Sequence, residues 1–151
     1  MLKIFLQNTE RQKRMFKVTT FSFTEEGRKT EEGLHEVLKN LSFRNEGIIA
    51  GKRTSKEVEA AFMSSDALIF IGAAGIAVRL CAPYLRDKLS DPAIIVIDES
   101  ASFVIPIASG HVGGANSLSR LIAKALSAQA VITTATDVEG IFSVDEFAAA
   151  N

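Results

Sequence analysis

Ala67-Leu68-Ile69-Phe70-Ile71-Gly72-Ala73-Ala74-Gly75 is the stretch that decides the fold. Five consecutive apolar residues without alternation suit a strand covered on both faces, since a strand with one wet face would alternate. Gly72 to Gly75 then turn the chain into a short helix that Pro83 or its neighbours should end or redirect. Ala93 to Ile97 is a second buried run, closed by Asp98 and Glu99. The short Glu99–Ser102 turn makes Phe103 to Ile107 an antiparallel neighbour, and Pro106 is tolerable there as it would be on an edge. Leu118, Leu121, Ile122, Ala125 and Leu126 mark an amphipathic helix, and Ala130 to Thr133 a last strand.

Upstream, Phe16, Val18 and Thr19 to Phe23 are β-branched or aromatic and read as the first strand. Leu34, Val37, Leu38 and Leu41 recur at i, i+3, i+4 and i+7, one apolar helix face, with His35 just off it and at the surface. Ile48 and Ile49 make a weak strand ended by Gly51, and Thr54 with Glu57 forms a capping-box pattern ahead of Val58, Ala61 and Phe62. Strands alternating with helices predict an α/β fold, a three-layer sandwich with a mostly parallel sheet. The division expected is a leader over 1–14, an N-terminal α/β domain over 15–143, and the start of a truncated linking segment over 144–151.

Composition narrows the function. The 151 residues are 47% hydrophobic and 23% charged, ordinary for a folded domain able to bury a core without staples. Seventeen Lys and Arg against eighteen Asp and Glu give a net charge of −1, so no basic excess argues for nucleic acid. One cysteine, Cys81, excludes an internal disulfide and reads as a small buried hydrophobe; with His35 and His111 it is too little for a Cys/His zinc site. The opening MLKIFL is too short for a signal sequence or a membrane span. A cytoplasmic, metal-independent protein is the default expectation.

Ser109-Gly110-His111-Val112-Gly113-Gly114-Ala115-Asn116 lies between an apolar strand and an amphipathic helix. Backbone N–H groups gather at such a helix start and attract carboxylate or phosphate. Adjacent glycines permit close approach of a ligand, and His111 can act as acid or base near neutral pH. The plainer alternative is a tight turn with a hydrogen-bonded histidine. Ser109 and His111 together are a minority candidate for a nucleophilic dyad. Gly72 to Arg79 repeats the strand–glycine–helix arrangement without a G-x-G-x-x-G fingerprint; Arg79 offers a fork to a carboxylate or is a solvated surface residue. Thr133-Thr134-Ala135-Thr136-Asp137 is either a rim of hydroxyls with one carboxylate or a self-bonded turn. The strand ends at Gly72, Asp98 and Thr133 are expected on one side of the sheet, forming one shared site.

Gly75-Ile76-Ala77-Val78-Arg79, Ala82-Pro83-Tyr84-Leu85, Asp91-Pro92-Ala93 and Val96-Ile97-Asp98-Glu99 occur in order with the two later motifs, Ser109 to Asn116 and Val131 to Asp137. Together they resemble the CbiG family of anaerobic cobalamin biosynthesis, the cobalt-precorrin-5A hydrolases. The resemblance is close over about residues 66 to 147 and loose over 16 to 65. Members usually begin near the first strand, which leaves 1–14 unmatched and makes Met15 a candidate start; they also continue into a further C-terminal domain, a possible partner in cis or trans. The resemblance implies hydrolysis of a δ-lactone on a cobalt-containing tetrapyrrole with release of acetaldehyde, to give cobalt-precorrin-5B. It implies no resident cofactor, the cobalt belonging to the substrate.

On that reading His111 and Ser109 are the catalytic candidates. Gly72, Gly75, Arg79, Gly110, Gly113, Gly114, Asn116, Thr133, Thr134, Thr136 and Asp137 are the substrate-binding ones. Competing readings are a non-catalytic corrinoid-binding module and an acidic-metabolite sensor on the same sheet, each completed by a missing domain or partner.

Overall fold

β3 (Ala67–Ile71) and β4 (Ala93–Ile97) are buried at every position, as their continuous apolar runs require. Around them the computed structural model, which describes residues 15–109 and 114–135, arranges a six-stranded sheet of order β2-β1-β3-β4-β5-β6. The remaining strands are β1 (Lys17–Ser22), β2 (Arg44–Ile49), β5 (Phe103–Ala108) and β6 (Gln129–Ala130). The helices are α1 (Glu25–Asn40), α2 (Thr54–Ser64), α3 (Ala74–Cys81) and α4 (Ala115–Leu126). The leader over 1–14 and the segment over 144–151 lie outside the described residues.

Two apolar layers sandwich the sheet, which is the expected mostly parallel three-layer architecture. On one face Leu34 and Leu38 of α1 and Leu118 and Ile122 of α4 pack on Val18, Ile69, Ile71 and Ile95. On the other, Val58 and Phe62 of α2 and Ala77 and Cys81 of α3 pack on Phe21, Leu68, Phe70 and Ile94. Each fully buried Leu, Ile or Phe contributes about 1.5–3 kcal/mol by removing apolar area from water. Phe21 and Phe70 are register partners whose rings stack at 5.0 Å, pinning β1 to β3.

Direction is the feature that matters for the site. β1, β2, β3 and β4 are mutually parallel, β5 is antiparallel to β4 as expected, and β6 is parallel to β5. The antiparallel pairing sets Ala108 beside Ile94, so β5 ends where β4 begins. β6 therefore also runs toward the amino ends of the parallel strands. This corrects the expectation of one shared edge: Gly72 and Asp98 end their strands at one edge, and Thr133 follows β6 at the opposite one.

Local chemistry revises smaller points. α1 starts at Thr24, whose Oγ1 accepts from the Gly27 N–H at 3.0 Å, an N-cap that the sequence reading did not single out. Thr54 is no cap: its hydroxyl donates to Gly51 O at 2.7 Å and accepts from Gly51 N at 2.8 Å, and Arg53 occupies the capping position. His35 is half-buried rather than fully at the surface. It stands over Gly47 beside Glu31, a buried carboxylate that accepts from Thr20 Oγ1 at 2.5 Å and Ser22 Oγ at 2.8 Å.

Candidate functional site

β5, α4 and β6 form a local strand–helix–strand unit, and its turn carries the motif of interest. The chain leaves β5 at Ser109 with φ 59° and enters α4 at Gly114 with φ 80°, both left-handed. Glycine takes that conformation freely, whereas a serine held there costs about 1 kcal/mol and needs its surroundings to hold it. Ser109 O accepts from Ala115 N at 3.1 Å, tying the two ends of the motif together. Gly114 has no side chain with which to cap α4, and the backbone oxygen of Ser109 takes the first helical N–H in its place.

Asn116 joins the second motif to the first. It is 2% exposed, and its Nδ2 donates to Thr134 Oγ1 at 3.1 Å. Val131 N, just past β6, donates to Val104 O at 2.9 Å, which steers the Thr133–Thr134 segment down beside β5. Thr133 is exposed and Thr134 half-buried, so one hydroxyl faces solvent while the other is engaged. Sequence reasoning passed over Ser119, one turn along α4 from Asn116. It is fully buried, and its Oγ has no hydrogen-bond partner among the described residues.

Ser109, Gly114, Asn116 and Thr134 thus gather at the carboxyl end of β5, where Thr134, with Thr133 before it, arrives on the segment that follows β6. Gly110, His111, Gly113, Thr136 and Asp137 lie outside the described residues. The other candidates are elsewhere. Gly72 follows β3 at the opposite edge, where its N–H donates to Ile97 O at 2.9 Å, and Gly75 lies in the first turn of α3. Arg79 is exposed on the outer side of α3, away from Ala77 and Cys81, which face the sheet. The full set therefore does not meet at one place, but the Ser109–Asn116 and Thr133–Thr134 stretches do.

At the opposite edge the β4–β5 turn carries two acids, Asp98 and Glu99. Burial works against the Asp98 carboxylate, yet donation from Ser100 Oγ and from the Phe103, Ser102 and Ser100 N–H groups outweighs it and holds the carboxyl below its ordinary range. Glu99 accepts from Thr24 Oγ1 at 2.6 Å, and its carbonyl accepts from Thr30 Oγ1. These bonds fasten the β4–β5 turn to the start of α1. Cys81 is buried against the sheet, and burial pushes its thiol up to about 12, so at neutral pH it is the inert thiol the sequence reading expected. Among the described residues no group of three His, Cys, Asp or Glu could hold a metal ion, and no helix is long and apolar enough to cross a membrane.

The comparisons with known proteins converge. Residues 56–137, more than half of the chain, match the family model described as cobalamin synthesis G N-terminal. The cobalt-precorrin-5A hydrolase of Salmonella typhimurium is 57% identical over 88 residues, covering 58% of this chain and 25% of that protein. The cobalt-precorrin-5A hydrolase of Priestia megaterium is 51% identical over 86 residues, covering 57% of this chain and 23% of that protein. In three dimensions a cobalamin biosynthesis protein G homolog from Sulfolobus solfataricus superposes with a TM-score of 0.70 at 29% identity, covering 77% of this chain and 36% of that one. The chain spans about a quarter of the length of these curated relatives. With the fold, the two motifs and the family model in agreement, the chain belongs to the cobalamin synthesis G N-terminal family.

Proposed function

We propose that this chain supplies the lactone-opening half-site of a cobalt-precorrin-5A hydrolase, at the edge where β5 ends and the segment following β6 arrives. The observation that carries the reading is the Asn116–Thr134 hydrogen bond, which unites the Ser109–Asn116 and Thr133–Asp137 motifs. The names of the curated relatives supply the reaction.

Opening a lactone needs an activated water, donors for the oxyanion that forms on the carbonyl, and a proton for the departing ring oxygen. His111 is the residue whose chemistry suits taking the proton from water and returning it to the leaving oxygen. The backbone N–H groups at the start of α4 are the candidate donors to the oxyanion. Asn116 and Thr134 hold that helix start and the post-β6 segment in fixed relation. Ser109 is the candidate to orient the water or to attack in its stead. Cobalt travels with the substrate, as does the two-carbon unit released as acetaldehyde.

A sheet edge alone leaves most of a tetrapyrrole in water, and oxyanion stabilisation gains from excluding water. The 151 residues alone are therefore expected to release little acetaldehyde from cobalt-precorrin-5A, with turnover rising when the remaining region of a family member is added in cis or trans. Acetaldehyde production by the chain, by the mixture and by the fused protein tests this. No production by any of the three would favour the binding-module reading.

A further inference from the structure

Resting on the reading just given, we propose that Arg44 and Lys17 form a carboxylate subsite for the acid-bearing rim of the tetrapyrrole held at the Ser109–Thr134 edge. A precorrin carries several ionised acid side chains around its ring, so its site needs fixed cations along the same edge. Several basic side chains lie elsewhere or are already paired. Arg79 points outward from α3, and Lys52, Arg53 and Lys56 surround the start of α2 at the opposite edge. Arg28 and Lys29 are paired with Glu25 and Glu26 on α1.

Lys17 and Arg44 open β1 and β2 as register partners at the amino ends of the parallel strands. Those are the strand ends that β5 reaches. The row continues through hydrogen bonds: Asp66 N donates to Lys17 O at 2.8 Å, Ala93 N to Asp66 O at 3.0 Å, and Ala108 pairs with Ile94. From Lys17 on β1 to β5 is three strand spacings, roughly 14 Å at 4.7–4.9 Å each, and from Arg44 on β2 it is four, roughly 19 Å. A tetrapyrrole with acid side chains extended from its ring spans a distance of that order. Lying across the edge, it meets α4 on one side and the cleft beside α2 on the other.

The cleft is present. Met15, Lys17, Arg44 and Ser64 line about 490 Å³ of open space. Lys17 Nζ is held by Ser64 Oγ at 3.4 Å and Glu46 Oε2 at 3.3 Å; its side chain is 18% exposed and so already ordered. Glu46, 57% exposed, is loosely committed and free to turn to solvent. Arg44 is exposed, and among the described residues no carboxylate pairs with it. Asp66, an acid of the same row, is buried and accepts the Lys17 N–H at 2.8 Å, so its charge is turned into the fold.

The test titrates the 151-residue chain with uroporphyrin, a carboxylate-rich tetrapyrrole, following backbone amide shifts and affinity. The Lys17 and Arg44 amides should move in the same titration as those of Asn116 and Thr134. Arg44→Gln should weaken binding about fivefold or more, with Arg44→Lys restoring much of it and added salt narrowing the difference. Lys56→Gln, the same charge change at the opposite edge, should leave affinity within about twofold. Shifts at Asn116 and Thr134 with an unaffected Arg44→Gln variant overturn the subsite and leave the catalytic edge standing. Shifts at Lys17 and Arg44, weakened by Arg44→Gln, with Asn116 and Thr134 unmoved, support the subsite and contradict the catalytic edge. No shift at Lys17 or Arg44 overturns the subsite.

Discussion

Asn116 Nδ2 donates to Thr134 Oγ1 across 3.1 Å, bridging the first turn of α4 to the segment after β6. Thr134→Val keeps the shape and deletes the acceptor of this bond to a buried amide. It should lower stability by about 1–3 kcal/mol, read by denaturant midpoint. An unchanged midpoint would mean that the bond holds nothing.

Ser109 tests strain against chemistry. Its φ of 59° costs about 1 kcal/mol that glycine would not feel, offset by the extra flexibility of an unfolded glycine. Ser109→Gly should therefore fold within about 1 kcal/mol of the parent. If the hydroxyl touches the reacting atoms, turnover in the complemented protein should fall at least about tenfold, or 1.4 kcal/mol. Retained turnover would make Ser109 a turn residue only.

A methyl group at Gly47 would crowd its neighbours. A Cβ there would lie 2.9 Å from His35 Cε1 and 3.0 Å from Glu31 Oε1. The imidazole can swing outward, but Glu31 is held by Thr20 and Ser22. Gly47→Ala should cost about 1–3 kcal/mol, with part of the loss recovered in the double variant with His35→Ala. Strictly additive losses would show that the two residues do not press on one another.

Asp98 gives a pH signature. A carboxyl whose folded value is lowered contributes stability in full above its unfolded value, near 3.9, and loses it as pH falls through the folded value below that. Asp98→Asn should flatten the acid limb of a stability–pH profile below about pH 4 and lower stability at neutral pH. Identical acid limbs for the two proteins would remove Asp98 from the account of acid unfolding.

These residues also show what the amino-acid sequence discloses. β3 and β4 are legible because burial on both faces forces unbroken apolar runs. α4 is legible because it covers one face at helical spacing. β2 is hard to read because this edge strand opens on three consecutive polar residues, Arg44, Asn45 and Glu46, and has only Ile48 and Ile49 as large apolar ones. The shared edge fails through composition of two correct inferences: the Glu99–Ser102 turn reverses β5, and the crossover through α4 carries β6 with it. Once direction is followed through, Thr133 belongs with Ser109, and Gly72 does not. Arg44 escapes notice because a lone arginine opening a weak strand carries no pattern, and its relation to Ser109 exists only through strand order.

The catalytic edge is tested most directly by acetaldehyde release from cobalt-precorrin-5A, using the chain complemented by the remaining region of a family member. Parent, Asn116→Ala and Lys56→Gln proteins, each shown to be folded, are compared at saturating substrate. Assignment of the site to the carboxyl end of β5 and the segment after β6 predicts that Asn116→Ala falls at least about tenfold, while Lys56→Gln stays within about twofold. A folded Asn116→Ala protein turning over at the parent rate would contradict that assignment.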